Sequence, residues 1–257
     1  MTPPRTGPGR VVRVSGPLVE MEGLGNVAMS ELVGLGPEGL LAEVVGLDGD
    51  RTTVQAYEYT GGLAVGDPAR RMGRPLSARL GPHLLGGVFD GLLRPLSDGP
   101  VWLVPGAATG GTAQPQLWTP LATEGTRVDG GAVLGTATAP SRSFVCRVLV
   151  PPGVSGTIDL VAPAGTVDLD DTVARVGATT VRLSSWWPVR RPRPVGERLT
   201  ADEPLVTGQR VLDALFPLAL GGRAAVPGGF GTGKTMLLQQ VAKWCSADVI
   251  VYVGCGE

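Results

Sequence analysis

A glycine-rich loop at residues 228–235 limits the possible folds more than any other stretch. It reads Gly-Gly-Phe-Gly-Thr-Gly-Lys-Thr and matches the pattern G-x-x-x-x-G-K-[ST]. Glycines let the backbone curl so that successive N–H groups face one side, where they can hold phosphate oxygens. The pattern predicts a phosphate-binding P-loop only between a strand and a helix. The alternative is a flexible glycine loop before an ordinary helix.

The residues on both sides of the loop predict those two elements. Residues 223–226 predict a short strand that ends at Pro227, because proline lacks a backbone donor. Residues 234–244 predict a helix, since four apolar side chains fall on one helical face: Leu237, Leu238, Val241 and Ala242. Residues 249–253 predict a second strand. The result would be a βαβ unit with parallel strands.

The loop supplies the candidate nucleotide-binding residues. Lys234 would place its ammonium at the β- and γ-phosphates, and the Thr235 hydroxyl is a candidate ligand for Mg²⁺. Only two of the 22 basic residues are lysines, Lys234 and Lys243. Because the chain uses arginine almost everywhere else, the lysine at the motif position indicates that the chemistry of the site requires lysine there. The full predicted set is Gly228, Gly229, Phe230, Gly231, Thr232, Gly233, Lys234 and Thr235.

Glu257 is the candidate catalytic carboxylate, together with Lys234. It follows the second predicted strand, and ligands of parallel sheets bind beyond the carboxyl ends of the strands. A carboxylate on that side can polarise an attacking water or bind Mg²⁺ through a water. From topology alone, the alternative that Glu257 is an ordinary surface carboxylate after a strand is equally compatible with the sequence.

The rest of the chain predicts β structure. Residues 10–71 contain short alternating segments without a helix between them, which is typical of a small antiparallel barrel. A Pro- and Gly-rich connector follows, and then a second β-rich block of the barrel-sandwich type, which contains no lysine for a swinging arm. Residues 191–194, Arg-Pro-Arg-Pro, predict an extended, solvated linker. The predicted domains are a barrel (1–72), a connector (73–96), an inserted β-rich domain (97–188) and an incomplete RecA-like domain (189–257).

Charge and hydropathy restrict the class of partner. The formal net charge is −1 and the pI is about 5.9, which gives no overall attraction for nucleic acid. No apolar run approaches the roughly 20 residues that span a bilayer, so no direct membrane insertion is expected. These features predict a cytoplasmic protein that meets a membrane only through partners.

Several longer stretches, in addition to the loop, resemble one family. They are RVSGPLV, LVPPGVSGTI, WPVRRPRP, PLVTGQRVLDALFP, AAVPGGFGTGKT and AKWCSADVIVYVGCGE. Together they resemble the catalytic A subunit of V-type and archaeal A-type rotary ATPases, from about residue 10 to residue 257. The Phe230–Gly231 pair and the closing Gly-Cys-Gly-Glu separate the chain from related rotary subunits.

The resemblance implies a multidomain β plus α/β fold: an N-terminal β-barrel, an inserted β-rich domain and the start of a RecA-like domain. It implies that ATP hydrolysis or synthesis, with Mg²⁺ and ATP or ADP, is coupled to proton or sodium transport. The implied partners are B subunits in an alternating hexamer, central and peripheral stalk subunits, and a membrane sector on whose inner face the complex sits. Glu257 would match the family glutamate that orients the hydrolytic water.

The resemblance also implies what this chain lacks, since members of the family are more than twice as long. The chain is therefore expected to hold the phosphate-binding half of a site, without the Walker B aspartate, the adenine pocket or the C-terminal domain. Two alternatives remain: a non-catalytic assembly or structural piece, and a different hexameric RecA-type motor.

Overall fold

Six antiparallel strands close into a barrel in the N-terminal part of the chain. The computed structural model describes residues 8–97, 102, 106, 114–139 and 144–255. The barrel strands are β1 (Gly9–Ser15), β2 (Leu18–Glu22), β3 (Glu31–Leu35), β4 (Leu40–Asp48), β5 (Arg51–Ala56) and β6 (Pro68–Pro75). Their order is β1-β2-β5-β4-β3-β6, and β6 pairs back with β1. The predicted antiparallel barrel is confirmed.

Side-chain alternation along the strands fills the barrel. On β2, Val19 and Met21 are buried, whereas Glu20 between them lies outside and pairs with Arg51 at 3.2 Å. Two charged side chains of the barrel, Glu31 on β3 and Glu43 on β4, are also buried. Glu31 shows how such a charge is paired. It accepts hydrogen bonds from Nε and Nη2 of Arg71, each at 2.9 Å, and these bonds lower the pKa of Glu31. The buried carboxylate is therefore paired with a guanidinium that is itself exposed.

Two barrel strands and one connector strand were not predicted from the alternation of apolar and polar residues. β3 is buried at four of its five positions and β6 exposes four consecutive residues, so neither alternates as a half-buried strand does. The predicted connector, residues 73–96, contains β7 (Ser77–Leu80) and a 3₁₀ turn (Pro82–Leu84). The partner of β7 lies more than a hundred residues later in the sequence, so the residues around β7 do not predict this pairing.

The inserted domain consists of two four-stranded sheets, as predicted for a barrel-sandwich-like module. Its strands are β8 (Gln116–Pro120), β9 (Arg127–Val128), β10 (Val133–Thr138), β11 (Val145–Leu149), β12 (Gly156–Val161), β13 (Gly165–Val167), β14 (Thr172–Val176) and β15 (Thr179–Arg182). The sheet orders are β11-β10-β8-β13 and β15-β14-β12-β9. The core centres on Trp118, which is fully buried and donates its indole N–H to the Ala162 carbonyl at 3.0 Å.

A two-stranded ribbon completes this part of the chain. β16 (Ser185–Pro188) pairs with β7, and the Arg79 guanidinium on β7 donates to Asp170 of the inserted domain at 2.7 Å. The predicted linker, residues 191–194, is exposed and forms no helix or strand. The guanidinium groups of Arg191 and Arg193 lie over the Trp187 ring, at 5.0 and 4.3 Å from its centre.

The second compact unit is Val195–Glu257, and the first is Met1–Pro194. The second unit contains β17 (Pro204–Leu205), α1 (Arg210–Leu215), β18 (Leu218–Ala219) and α2 (Lys234–Trp244), and β17 pairs with β18. The bounds of α2 are those predicted from the sequence. None of the helices in the described ranges is long and apolar enough to cross a membrane.

The two strands predicted on either side of α2 are not formed. Residues 223–226 and 249–253 have no regular secondary structure, so the prediction of a paired βαβ unit is wrong for this structure. A strand needs a ladder partner for its backbone groups, and no described residues pair with either segment. The apolar side chains are correspondingly exposed, with Val251 and Val253 at 83% and 78%.

Candidate phosphate-binding site

The loop before α2 requires glycine at three of its positions. Gly231 and Gly233 have φ angles of 76° and 83°, in the left-handed region that side chains disfavour. At Gly228 the reason is space, because a Cβ atom there would lie 2.6 Å from Oγ1 of Thr232. The motif spacing therefore corresponds to a specific backbone path and not only to flexibility.

Lys234 folds back over this loop from the first position of α2. Its Nζ donates to the carbonyl oxygens of Gly228 at 2.5 Å and Gly229 at 2.7 Å. The Thr232 hydroxyl also donates to the Gly229 carbonyl, at 2.8 Å. An ammonium carries three N–H donors, so these two carbonyls use two of them. The structure thus brings the predicted lysine and glycines together, with a positive charge over the loop.

The N-terminal end of α2 adds to this charge. Gly233 is the N-cap and provides no side-chain capping hydrogen bond, and the first turn contains no acidic residue. The backbone N–H of Leu237 donates to the Gly233 carbonyl at 3.0 Å, whereas the N–H groups before it have no acceptor within the helix. Such groups and the helix dipole favour a bound anion. Lys234 and the helix end therefore favour the same kind of ligand.

The remaining loop residues have different environments. The Phe230 side chain is fully exposed, and Thr235 is partly buried at the second position of α2. The described residues contain no group of three or more His, Cys, Asp or Glu side chains that could hold a metal. A hydroxyl oxygen fits Mg²⁺, which usually keeps several waters and binds phosphate oxygens as well. The residues present therefore fit a Mg²⁺ ion that takes most of its ligands from water and the phosphates of a nucleotide, and one from the protein.

Glu257 lies outside the described residues, as does Gly256. The topological reason for placing it on the phosphate side required a strand at residues 249–253, and that strand is not formed. The catalytic role of Glu257 stays a prediction.

A polar turn contacts the other end of α2, and sequence reasoning assigned it no role. Thr207 donates its hydroxyl to Oδ1 of Asp213 at 2.7 Å and its backbone N–H to the same oxygen at 2.9 Å. These hydrogen bonds lower the pKa of Asp213. The available signal was Thr207 itself, since a Thr hydroxyl typically accepts a hydrogen bond from the backbone N–H two residues later, here that of Gln209.

Three domain families match separate parts of the chain. Residues 11–73 match the β-barrel domain of the ATP synthase alpha/beta family. Residues 114–190 match the barrel-sandwich domain of the ATP synthase alpha/beta subunits, and residues 208–257 match the nucleotide-binding domain of the same family. The predicted fold class, a barrel, an inserted β-rich domain and the start of a P-loop nucleotide-binding domain, is therefore confirmed.

Similar proteins come from bacteria, animals and archaea. The V-type ATP synthase alpha chain of Anaeromyxobacter sp. (strain K) is 48% identical over 255 residues, covering 97% of this chain and 44% of the relative. Isoform 1 of the catalytic A subunit of the V-type proton ATPase from Drosophila melanogaster is 43% identical, covering 97% of this chain and 42% of the relative. The A subunit of the A-type ATP synthase from Methanopyrus kandleri is 42% identical, covering 97% and 44%. The chain spans less than half the length of these relatives.

Proposed function

The chain belongs to the ATP synthase alpha/beta family, and from this premise we propose that it carries the phosphate-binding part of a V-type or A-type catalytic A subunit. The complete subunit would hydrolyse or synthesise ATP and couple that reaction to proton or sodium transport. The observation that carries the proposal is the position of Lys234, whose ammonium lies 2.5 and 2.7 Å from two loop carbonyls at the start of α2.

The loop and helix would act mainly by positioning and by charge. Backbone N–H groups of residues 228–235 would hold the β- and γ-phosphates, and Lys234 would neutralise charge between them. Mg²⁺, held by the Thr235 hydroxyl and the phosphates, would supply further neutralisation of the charge on the transferred phosphoryl group. Such fixed charges stabilise the transition state without reorganising during the reaction.

Glu257 would act on the attacking water in this proposal. Its carboxylate would accept a hydrogen bond from the water and orient the water oxygen towards the γ-phosphorus. The oxygen would then form the new bond as the bond to the ADP oxygen breaks. The proton of the water would leave through the carboxylate. The family resemblance and the position of Glu257 after the loop and helix support this role.

The proposed partners follow from the same family membership. The names of the relatives describe subunits of an ATP synthase or a proton ATPase. We place the complete protein in a hexamer with alternating B subunits, attached through stalk subunits to a membrane sector, on the cytoplasmic face of the membrane. We also propose domain boundaries near residues 72/73, 96/97 and 188/189.

ATP-driven transport into membrane vesicles tests this function. The complete protein would be incorporated in its complex, and acidification would be followed by a fluorescent pH probe after ATP addition. We expect acidification that a protonophore collapses, or sodium uptake if sodium is the transported ion, and no transport with Lys234→Ala. Normal assembly of the wild-type protein without any ATP-driven transport would contradict the proposal and would favour a non-catalytic structural role.

A further inference from the structure

Thr207 lies in the second unit, between β17 and α1. It is the one fully buried residue among the described residues after Pro194, at 0% exposure. Its hydroxyl donates to Asp213 and accepts a hydrogen bond from the backbone N–H of Gln209 at 3.1 Å. A buried hydroxyl that both donates and accepts a hydrogen bond favours one arrangement of its neighbours. Losing either bond would leave a buried polar group unpaired, which costs free energy of folding.

The residues on both sides of Thr207 contact the C-terminal end of α2. The Val206 carbonyl accepts a hydrogen bond from the backbone N–H of Ser246 at 2.9 Å. Gly208 packs against Trp244 so closely that a Cβ atom on Gly208 would lie 2.7 Å from the Trp244 Cβ and 3.1 Å from its carbonyl oxygen. Neither atom lies at the end of a flexible side chain, so any added group at Gly208 requires the turn and the helix end to move apart.

The two ends of α2 are mechanically connected. The helix has 11 residues and no buried residue of its own, and its length is roughly 16 Å at about 1.5 Å per residue. A helix of this length moves as one body, because its internal hydrogen bonds resist bending. A shift at Trp244 is therefore transmitted to Lys234 and to the N–H groups of the first turn.

We propose that the turn at Val206, Thr207 and Gly208, which we call the helix-holding turn, is a positioning element for the phosphate-binding loop. It contacts the C-terminal end of α2 and so fixes the position of Lys234 relative to bound phosphates. This inference rests on the proposed nucleotide binding and adds the residues that hold the lysine in place.

Gly208→Ala in the complete protein tests the proposal, with Gly221→Ala as the matched control. Both glycines have left-handed φ angles, 75° and 76°, so both variants carry the same backbone strain. A Cβ on Gly221 meets nothing within 4 Å, whereas one on Gly208 meets the helix end. We expect Gly208→Ala to raise the Kd for Mg-ATP by about tenfold, since a displacement on the order of 1 Å impairs a positioned site.

The readout separates positioning from stability. The Kd would be measured by calorimetry well below the melting temperature, on samples whose folded fraction is checked by circular dichroism. A merely structural turn would lower the melting temperature and leave the Kd of the folded protein unchanged. Equal Kd values for Gly208→Ala and Gly221→Ala would overturn the inference. Failure of the wild type to bind Mg-ATP would overturn both the inference and the proposed function.

Thr207 provides a second pair of variants in case Gly208→Ala does not fold. Thr207→Val removes the hydroxyl at nearly constant volume, and Thr207→Ser keeps it. We expect the valine variant to raise the Kd by about fivefold, because the hydrogen bond to Asp213 and the one from the Gln209 N–H are both lost. We expect the serine variant to bind like the wild type. Thr200→Val is the control, since the Thr200 hydroxyl bonds Asp202 on the exposed surface. A wild-type Kd for Thr207→Val would count against the turn as a positioning element.

Discussion

Lys234→Ala in the complete protein should lower the affinity for Mg-ATP by at least about a hundredfold and remove ATP turnover. The variant loses the ammonium that lies over the loop carbonyls of Gly228 and Gly229. Charge-assisted hydrogen bonds to phosphate contribute about 1.5–3 kcal/mol each, and about 1.4 kcal/mol corresponds to a tenfold change in Kd. Isothermal titration calorimetry measures the affinity, and phosphate release measures turnover.

Lys243→Ala is the matched control, because Lys243 is the only other lysine of the chain and lies on the same helix. Its ammonium is exposed and lies over the Trp244 ring, 5.2 Å from the ring centre. We expect this variant to bind Mg-ATP within about twofold of the wild type, because an exposed cation–π contact contributes only about 0.5–1 kcal/mol to local stability. Equal losses in both variants would mean that Lys234 has no special role.

Glu257→Gln should keep nucleotide binding and lose hydrolysis, by about 10²- to 10⁴-fold. The amide has nearly the same shape as the carboxylate but cannot accept the proton of the attacking water. Because the proposal assigns phosphate binding to the loop and Lys234, the Kd for Mg-ATP is expected to stay close to that of the wild type. Single-turnover hydrolysis together with equilibrium binding separates these two effects.

Glu203→Gln makes the same chemical change at an exposed glutamate of the same unit. We expect it to turn over ATP at the wild-type rate. Normal hydrolysis by Glu257→Gln would remove the proposed catalytic role of that residue. A parallel loss of binding would instead assign Glu257 to holding the nucleotide.

The loop and α2 were predictable because their signals are local. The glycine spacing of residues 228–233 sets a backbone path that the structure shows as left-handed angles at Gly231 and Gly233. Apolar residues three and four positions apart gave the correct bounds of α2. Within such a stretch, neighbours in sequence are also neighbours in space.

Strands were less predictable because each needs a partner that can lie anywhere in the chain. β7 pairs with β16, far away in the sequence, and β6 is polar enough to read as a loop. The opposite error occurred at residues 249–253, where an apolar run has strand propensity but no pairing in the described structure. Propensity alone does not supply the ladder hydrogen bonds.

The helix-holding turn shows the same limit at the candidate phosphate-binding site. Its Thr207–Asp213 hydrogen bonds are local and are suggested by the residue types. The contact between Gly208 and Trp244 joins residues on opposite sides of the loop and depends on the folded path between them. The sequence therefore predicts which residues bind phosphate, and the structure adds the turn that we propose holds them in place.

A structure of the complete protein with Mg²⁺ and a non-hydrolysable ATP analogue tests the proposed phosphate site most directly. We predict that the β- and γ-phosphates lie within the loop of residues 228–235, and that Nζ of Lys234 leaves at least one of its two loop carbonyls to contact a phosphate oxygen at about 3 Å. A nucleotide whose phosphates lie outside this loop, with Lys234 still hydrogen-bonded to both Gly228 and Gly229, would contradict phosphate binding at this site.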